Sequence, residues 1–136
     1  MQIRVVSLKR TPNRLELFKE KNSQYLPFFD VFEAVDGNTV NYTQLLNLGF
    51  NTDKNWRDPY LKRTLTKGEI GCFLSHWYLW EECARLDEPF LILEDDIQFT
   101  RKIDSTIVDQ PGDLIYLAWN EMLPQGSGVN TPCYPY

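Results

Sequence analysis

Apolar positions fall along this chain in two rhythms. Ile3, Val5, Val6 and Leu8 form a short dense run, the pattern of a buried strand, and it stops at Lys9-Arg10. Thr11-Pro12 then reads as a helix N-cap followed by its first residue, with Leu15, Phe18 and Tyr25 spaced to present one apolar side. Residues 28–35 are aromatic and β-branched and close on the turn pair Asp36-Gly37, which predicts a second strand, parallel to the first and joined to it by a right-handed crossover. A short helix is expected over 42–48 and a polar loop over 51–59.

The clearest helix signal begins at Thr66-Lys67-Gly68-Glu69, a capping box with Glu69 three residues after Thr66, and continues to about Leu86. Spacing the residues at about 100° gathers Ile70, Cys72, Phe73, Trp77, Trp80, Cys83 and Ala84 on one broad arc, expected to be the packed face, with Glu81, Glu82 and Arg85 opposite. After Glu88-Pro89 comes Phe90-Leu91-Ile92-Leu93, a central-strand pattern that ends abruptly in Glu94-Asp95-Asp96. Residues 113–119 repeat the strand pattern behind Pro111-Gly112, and 120–136 read as an irregular tail. The alternation of strands and helices gives an α/β fold with a mainly parallel sheet, and 136 residues suffice for one domain spanning 1–136.

Composition narrows the partners. Fourteen Lys+Arg against nineteen Asp+Glu give a net charge of -5, which disfavours nucleic acid as a partner. No apolar run reaches the roughly 20 residues of a membrane span, and the N-terminus lacks a signal-peptide layout, so a cytoplasmic setting is expected. Three cysteines without a C-x-x-C pair argue against a disulfide framework or a structural zinc site, and Cys72, Cys83 and Cys133 are expected as free thiols.

Helices of an α/β sheet run back against the strands they connect, so the turn after the first strand (Arg10, Arg14), Asp36-Gly37, the helix start at Gly68 and Gly71, and Glu94-Asp95-Asp96 all meet at the carboxyl edge, where such sheets bind ligands. Three successive carboxylates repel one another, and either a divalent cation with oxygen ligands relieves that or the triplet is a solvated acidic strand end with no bound metal. Strand alternation sends Glu94 and Asp96 to one side and Asp95 to the other. Arg10 and Arg14 offer guanidinium forks suited to diphosphate oxygens, or else are a surface turn and an exposed helix face. His76, between Cys72 and Cys83 on the apolar arc, reads as a core histidine in preference to a catalytic base, and the Cys72, His76, Cys83 alignment only superficially resembles a metal face.

Gly68-Glu69-Ile70-Gly71-Cys72-Phe73-Leu74-Ser75-His76 followed by Leu91-Ile92-Leu93-Glu94-Asp95-Asp96 resembles glycosyltransferase family 25, the lipooligosaccharide-biosynthesis and collagen-galactosyltransferase family; Val6 to Arg10 with Arg14, and Ala34 to Gly37, resemble its earlier markers. The resemblance implies a GT-A-like, Rossmann-like nucleotide-diphospho-sugar transferase fold, truncated at the C-terminus relative to longer members. It further implies inverting transfer of a hexose, often galactose, from a UDP-sugar donor to a glycan or lipooligosaccharide acceptor, at or near the inner membrane face. Carried over residue by residue, Glu94, Asp95 and Asp96 would bind Mn²⁺ or Mg²⁺, with Asp96 the first choice as direct ligand. Ser7, Arg10, Arg14, Asp36, Gly37, Gly68, Glu69, Ser75, His76 and Asp95 would line the donor site, and Asp113 and Glu121 are the candidate general bases. Two rival readings are a nucleotide-sugar-binding remnant without catalysis and a metal-dependent phosphoryl-transfer domain. Poor transfer and self-association through a bare sheet edge are expected if the acceptor half is missing.

Overall fold

In the computed structural model, which describes residues 1–50, 53 and 55–115, the first apolar run forms β1 (Gln2–Ser7), with Val5 fully buried. Helix α1 (Pro12–Asn22) follows, and Phe18 from its inner side packs edge-on against Phe29 at 5.4 Å between ring centroids. The second strand, β2 (Asp30–Glu33), is shorter than the apolar run 28–35 that announces it, with Phe28 left exposed. Then come α2 (Tyr42–Asn47), the long α3 (Lys67–Leu86) and β3 (Phe90–Glu94). The sheet order is β2-β1-β3, and both pairings are parallel, Val5 standing beside Val31 on one side and Leu93 on the other.

Alternation along β1 and β3 assigns the helices to faces. Arg4 meets Glu82 of α3 at 3.1 Å, and Glu94 meets His76 of α3, so the even-numbered side chains of β1 and β3 face α3. Ser7 and Asp95 face the other way, where Arg14 of α1 reaches Asp95. A three-stranded parallel sheet with helices on both faces is the α/β arrangement expected, consistent with a Rossmann-like fold.

Two helix starts differ in how they are capped. At α3 the capping box forms as the sequence predicts: Thr66 Oγ1 accepts from the Glu69 amide at 3.2 Å while Glu69 accepts from the Thr66 amide at 2.7 Å. At α1, Thr11 occupies the cap position, but its hydroxyl donates back to the Leu8 carbonyl instead of accepting from the helix. Asn22, at the end of α1, is buried and holds the chain leaving β3: its amide donates to the Phe18 and Ile97 carbonyls, and its oxygen accepts from the Phe99 amide at 2.8 Å.

The expected inner face of α3 is corrected. The buried line is Gly71, Leu74, Ser75 and Leu79, while Phe73 and Trp80 are exposed at 43% and 39%, and Glu82 faces the sheet to pair with Arg4. Small residues let α3 lie close on the sheet. The aromatic side is instead met by Phe50, edge-on to Phe73 and Trp77 at 5.1 and 5.2 Å.

The chain divides into two compact units, Met1–Lys102 and Ile103–Tyr136. In the second, a 3₁₀ helix (Ser105–Asp109) is capped by the Asp104 side chain, which accepts from the Thr106 amide. Asp113 to Ile115 do not begin the strand expected there; the rest of that strand, Glu121 and the tail lie outside the described residues. No helix among the described residues is long and apolar enough to cross a membrane.

Candidate functional site

The carboxyl ends of β1 and β3 bring Ser7, Arg14 and Glu94-Asp95-Asp96 together, and each carboxylate meets a different fate. Asp95, only 7% exposed, accepts from the Ser7 hydroxyl at 2.7 Å through Oδ2 and pairs with the Arg14 guanidinium at 2.5 Å through Oδ1. Both its oxygens are thereby engaged. Asp96 is open to solvent and shares the same Arg14 Nη2 at 3.2 Å. Arg14, on the first turn of α1, thus bridges two consecutive acids.

Glu94 turns to the α3 face. Its Oε1 accepts from the Cys72 thiol at 3.7 Å and lies 3.4 Å from His76 Nε2. Cys72 and Glu94 beside it raise the His76 pKa to about 9, and His76 in turn holds the Glu94 carboxyl below its ordinary value. A core histidine is therefore the wrong description: His76 is a partly exposed partner of Glu94, the first of the acidic triplet. Like-charge repulsion among the three carboxylates is relieved here by two protein cations, one on each face of the sheet. Among the described residues, the Cys, His, Asp and Glu side chains that gather three ligand atoms within 4.8 Å are Cys72, His76 and Glu94.

A second concavity, of about 540 Å³, opens beside the ends of β1 and β2, lined by Leu8, Lys9, Arg10, Val35, Asp36 and Thr39 among others. Arg10 Nε donates to Asp36 Oδ2 at 2.7 Å, and the other oxygen of Asp36 accepts from the Asn38 amide at 2.9 Å. The Asn38 amide, ahead of Arg10, holds the Asp36 carboxyl below its ordinary value.

Of the remaining candidates from the sequence, Ser75, Gly37 and Glu69 serve the scaffold. Ser75 is fully buried, donating to the Gly71 carbonyl at 2.7 Å and accepting from the Val35 amide at 2.9 Å, which ties the end of β2 to α3. Gly37 and Gly71 meet backbone to backbone: a Cβ on Gly37 would stand 1.6 Å from the Lys67 carbonyl oxygen, and one on Gly71 would stand 2.5 Å from that of Val35. Gly68 has open space instead. Glu69 caps α3 and takes a two-pronged bond from Arg63 at 2.7 and 2.8 Å, and Arg63 with Thr66 lowers its pKa to about 2. Asp113 is exposed within the second unit.

Sequence reasoning overlooked Arg63 and Asn22, and it grouped Cys72 with the wrong third partner. For Cys72 a signal existed: Cys72 and His76 are four apart on a helix whose start lies at the edge where β3 ends, so their natural third partner is Glu94 and not Cys83.

Comparison with known proteins agrees with the resemblance. The model of the family described as Glycosyltransferase family 25 (LPS biosynthesis protein) matches residues 1–123. The chain is 37% identical over 134 residues to a human protein named "Inactive glycosyltransferase 25 family member 3", covering 91% of this chain and 22% of that one. It is 35% identical over 108 residues to human "Procollagen galactosyltransferase 2", covering 79% and 17%. With "Procollagen galactosyltransferase 1-A" of Xenopus laevis it shares 32% over 131 residues, covering 89% and 21%. The chain thus spans less than a quarter of the length of these relatives. No solved structure matches.

Proposed function

This chain belongs to glycosyltransferase family 25, and on that premise we propose that its carboxyl edge is the sugar-nucleotide site of a glycosyltransferase with a GT-A-like fold, taking a UDP-hexose, galactose first, as donor. The observation that carries this reading is the arrangement around Arg14: one guanidinium fixes a buried Asp95 and stands beside an exposed Asp96 at the ligand-binding edge of a parallel sheet.

The residues divide the work. Ser7 and Arg14 consume both oxygens of Asp95, so Asp95 sets the shape of the strand end and is not offered to a ligand. Asp96 and Glu94 present exposed carboxylate oxygens, the donor type that a hard cation such as Mn²⁺ or Mg²⁺ takes, Asp96 beside Arg14 and Glu94 beside His76. A divalent ion bound there supplies charge neutralisation for the departing nucleoside diphosphate. Arg14 lies next to the same oxygens, able to turn its fork toward phosphate. Arg10 and Asp36 border the adjoining concavity, suited in size to part of the nucleotide. An acceptor hydroxyl of a glycan, lipooligosaccharide in the first instance, attacks the anomeric carbon opposite the leaving diphosphate in this inverting scheme. A carboxylate takes its proton.

A second reading, binding without transfer, is favoured by a specific observation: the relatives include proteins whose names call them inactive alongside galactosyltransferases. One paired experiment separates the two. Calorimetry with UDP and Mn²⁺ reports the donor site, and turnover of UDP-galactose with hydroxyl acceptors reports transfer. Binding with turnover supports the enzyme, binding alone supports the second reading, and absence of nucleotide binding refutes both.

A further inference from the structure

We propose that Cys72, His76 and Glu94 form a binding site for Zn²⁺, distinct in ligand chemistry from the all-oxygen site proposed for the donor's cation. The three side chains come from two rigid elements: Cys72 and His76 project from one face of α3 at helical spacing, and Glu94 is the last residue of β3. Their ligand atoms all lie within 4.8 Å of one another. The two separations that meet at Glu94 are those a tetrahedral ion requires. Zinc binds thiolate at about 2.3 Å, imidazole at about 2.0–2.1 Å and carboxylate at about 2.0–2.2 Å, which at tetrahedral angles puts nitrogen and oxygen about 3.4 Å apart and sulfur and oxygen about 3.6 Å apart. Here His76 Nε2 stands 3.4 Å from Glu94 Oε1, and Cys72 Sγ stands 3.7 Å from the same oxygen. Both edges at Glu94 thus lie close to the tetrahedral values, and the third ligand pair stands within 4.8 Å.

Donor softness sets the preference. One sulfur, one imidazole nitrogen and one carboxylate suit zinc and not the hard ions that carboxylates alone attract. Cys72 is exposed, so the ion has an entry path, and three protein ligands leave the fourth tetrahedral position for water or a ligand atom. Binding replaces the proton on His76 and the thiol proton of Cys72, both released to solvent. One consequence rests on the donor-site reading above: zinc held here commits Glu94, so it opposes Mn²⁺-supported UDP binding.

The test uses the whole chain and the metal alone. Zn²⁺ is titrated in competition with a chromophoric chelator, and Co²⁺ serves as a spectroscopic probe of thiolate ligation. A thiolate-to-cobalt charge-transfer band is expected in the parent chain, in Cys83→Ser, in Cys133→Ser and in Asp96→Asn, and it is expected to vanish in Cys72→Ser. Zinc affinity should fall more than about a hundredfold in Cys72→Ser and in His76→Gln, since even outer partners of metal ligands are worth roughly 10–100-fold. A measurement that needs no variant accompanies these: zinc should protect Cys72 of the parent chain from alkylation, read by mass spectrometry. Persistence of the band in Cys72→Ser, unchanged alkylation of Cys72, or failure of the parent chain to bind zinc would each overturn the proposal. Loss of UDP binding in Mn²⁺ with zinc binding intact would count against the donor site and leave the zinc site standing.

Discussion

Two glycines three residues apart on α3 should respond to the same substitution with opposite signs. Gly71 lies where the helix meets the end of β2, and an added methyl would stand 2.5 Å from the Val35 carbonyl oxygen and 2.7 Å from the Gly37 amide nitrogen. Both are backbone atoms, so neither can swing aside. Reaching ordinary contact at 3.4 Å requires the two segments to part by about 0.9 Å, the difference of 3.4 and 2.5. That separation strains the 2.9 Å bond from the Val35 amide to Ser75 Oγ, a buried hydroxyl with no water to turn to. Overpacking costs about 1–3 kcal/mol and a lost buried hydrogen bond about 1 kcal/mol, against a gain in helix propensity of up to about 1 kcal/mol. Gly71→Ala should therefore destabilise by about 2 kcal/mol, seen as roughly 6–10 °C in Tm. At Gly68 the nearest atom to the added methyl is Thr66 Oγ1 at 3.9 Å, so Gly68→Ala keeps the propensity gain, about 0.4–1 kcal/mol of stabilisation. Urea denaturation followed by circular dichroism reads both. Equal effects at the two positions, or a Gly71→Ala chain as stable as the parent, would refute the close-packing argument.

Asn22→Ala should cost about 2–3 kcal/mol in urea unfolding, because it strands the Ile97 carbonyl and the Phe99 amide it holds from a nearly fully buried position. Arg14→Gln should destabilise by about 1–2 kcal/mol, discounted for the half-exposed arginine, and the loss should shrink in an Asp95→Asn background, a coupling that a double-mutant cycle measures. Asp96→Asn should weaken Mn²⁺ and UDP binding by calorimetry while leaving Tm within about 2 °C, since Asp96 is open to solvent. The Glu69 carboxyl should titrate near about 2 by NMR, below its ordinary 4.5. Its folded pKa is depressed, so its contribution to stability is full above pH 4.5 and is lost as pH falls toward 2; titration near the ordinary value would break the Arg63 and Thr66 account.

What the chain's own pattern determined is local and edge-directed. Dense apolar runs over 3–8 and 90–93 read as buried strands, Thr66 and Glu69 cap the helix that follows them, and strand-helix alternation sets these ends at one edge. The residues that carry the family resemblance lie at that edge, which is why they could be read as a candidate site. Alternation separated Glu94 from Asp95, but β3 ends at Glu94, so Asp96 does not return to the Glu94 side as expected and instead shares Arg14 with Asp95. Tertiary structure decided which face of α3 packs. Hydrophobicity alone turned Phe73 and Trp80 inward, but a helix that must lie close on a sheet buries its small residues, and Gly71 and Ser75 meet the backbone of Val35 and Gly37 where no ring would fit. With that rotation, His76 moves from the core to the side of Glu94, and Cys72 comes with it. Partner choice among charges was likewise decided in three dimensions: Arg14 chose Asp95, Arg10 chose Asp36 and Arg4 chose Glu82, pairings spanning up to 81 residues that depend on which strands and helices become neighbours.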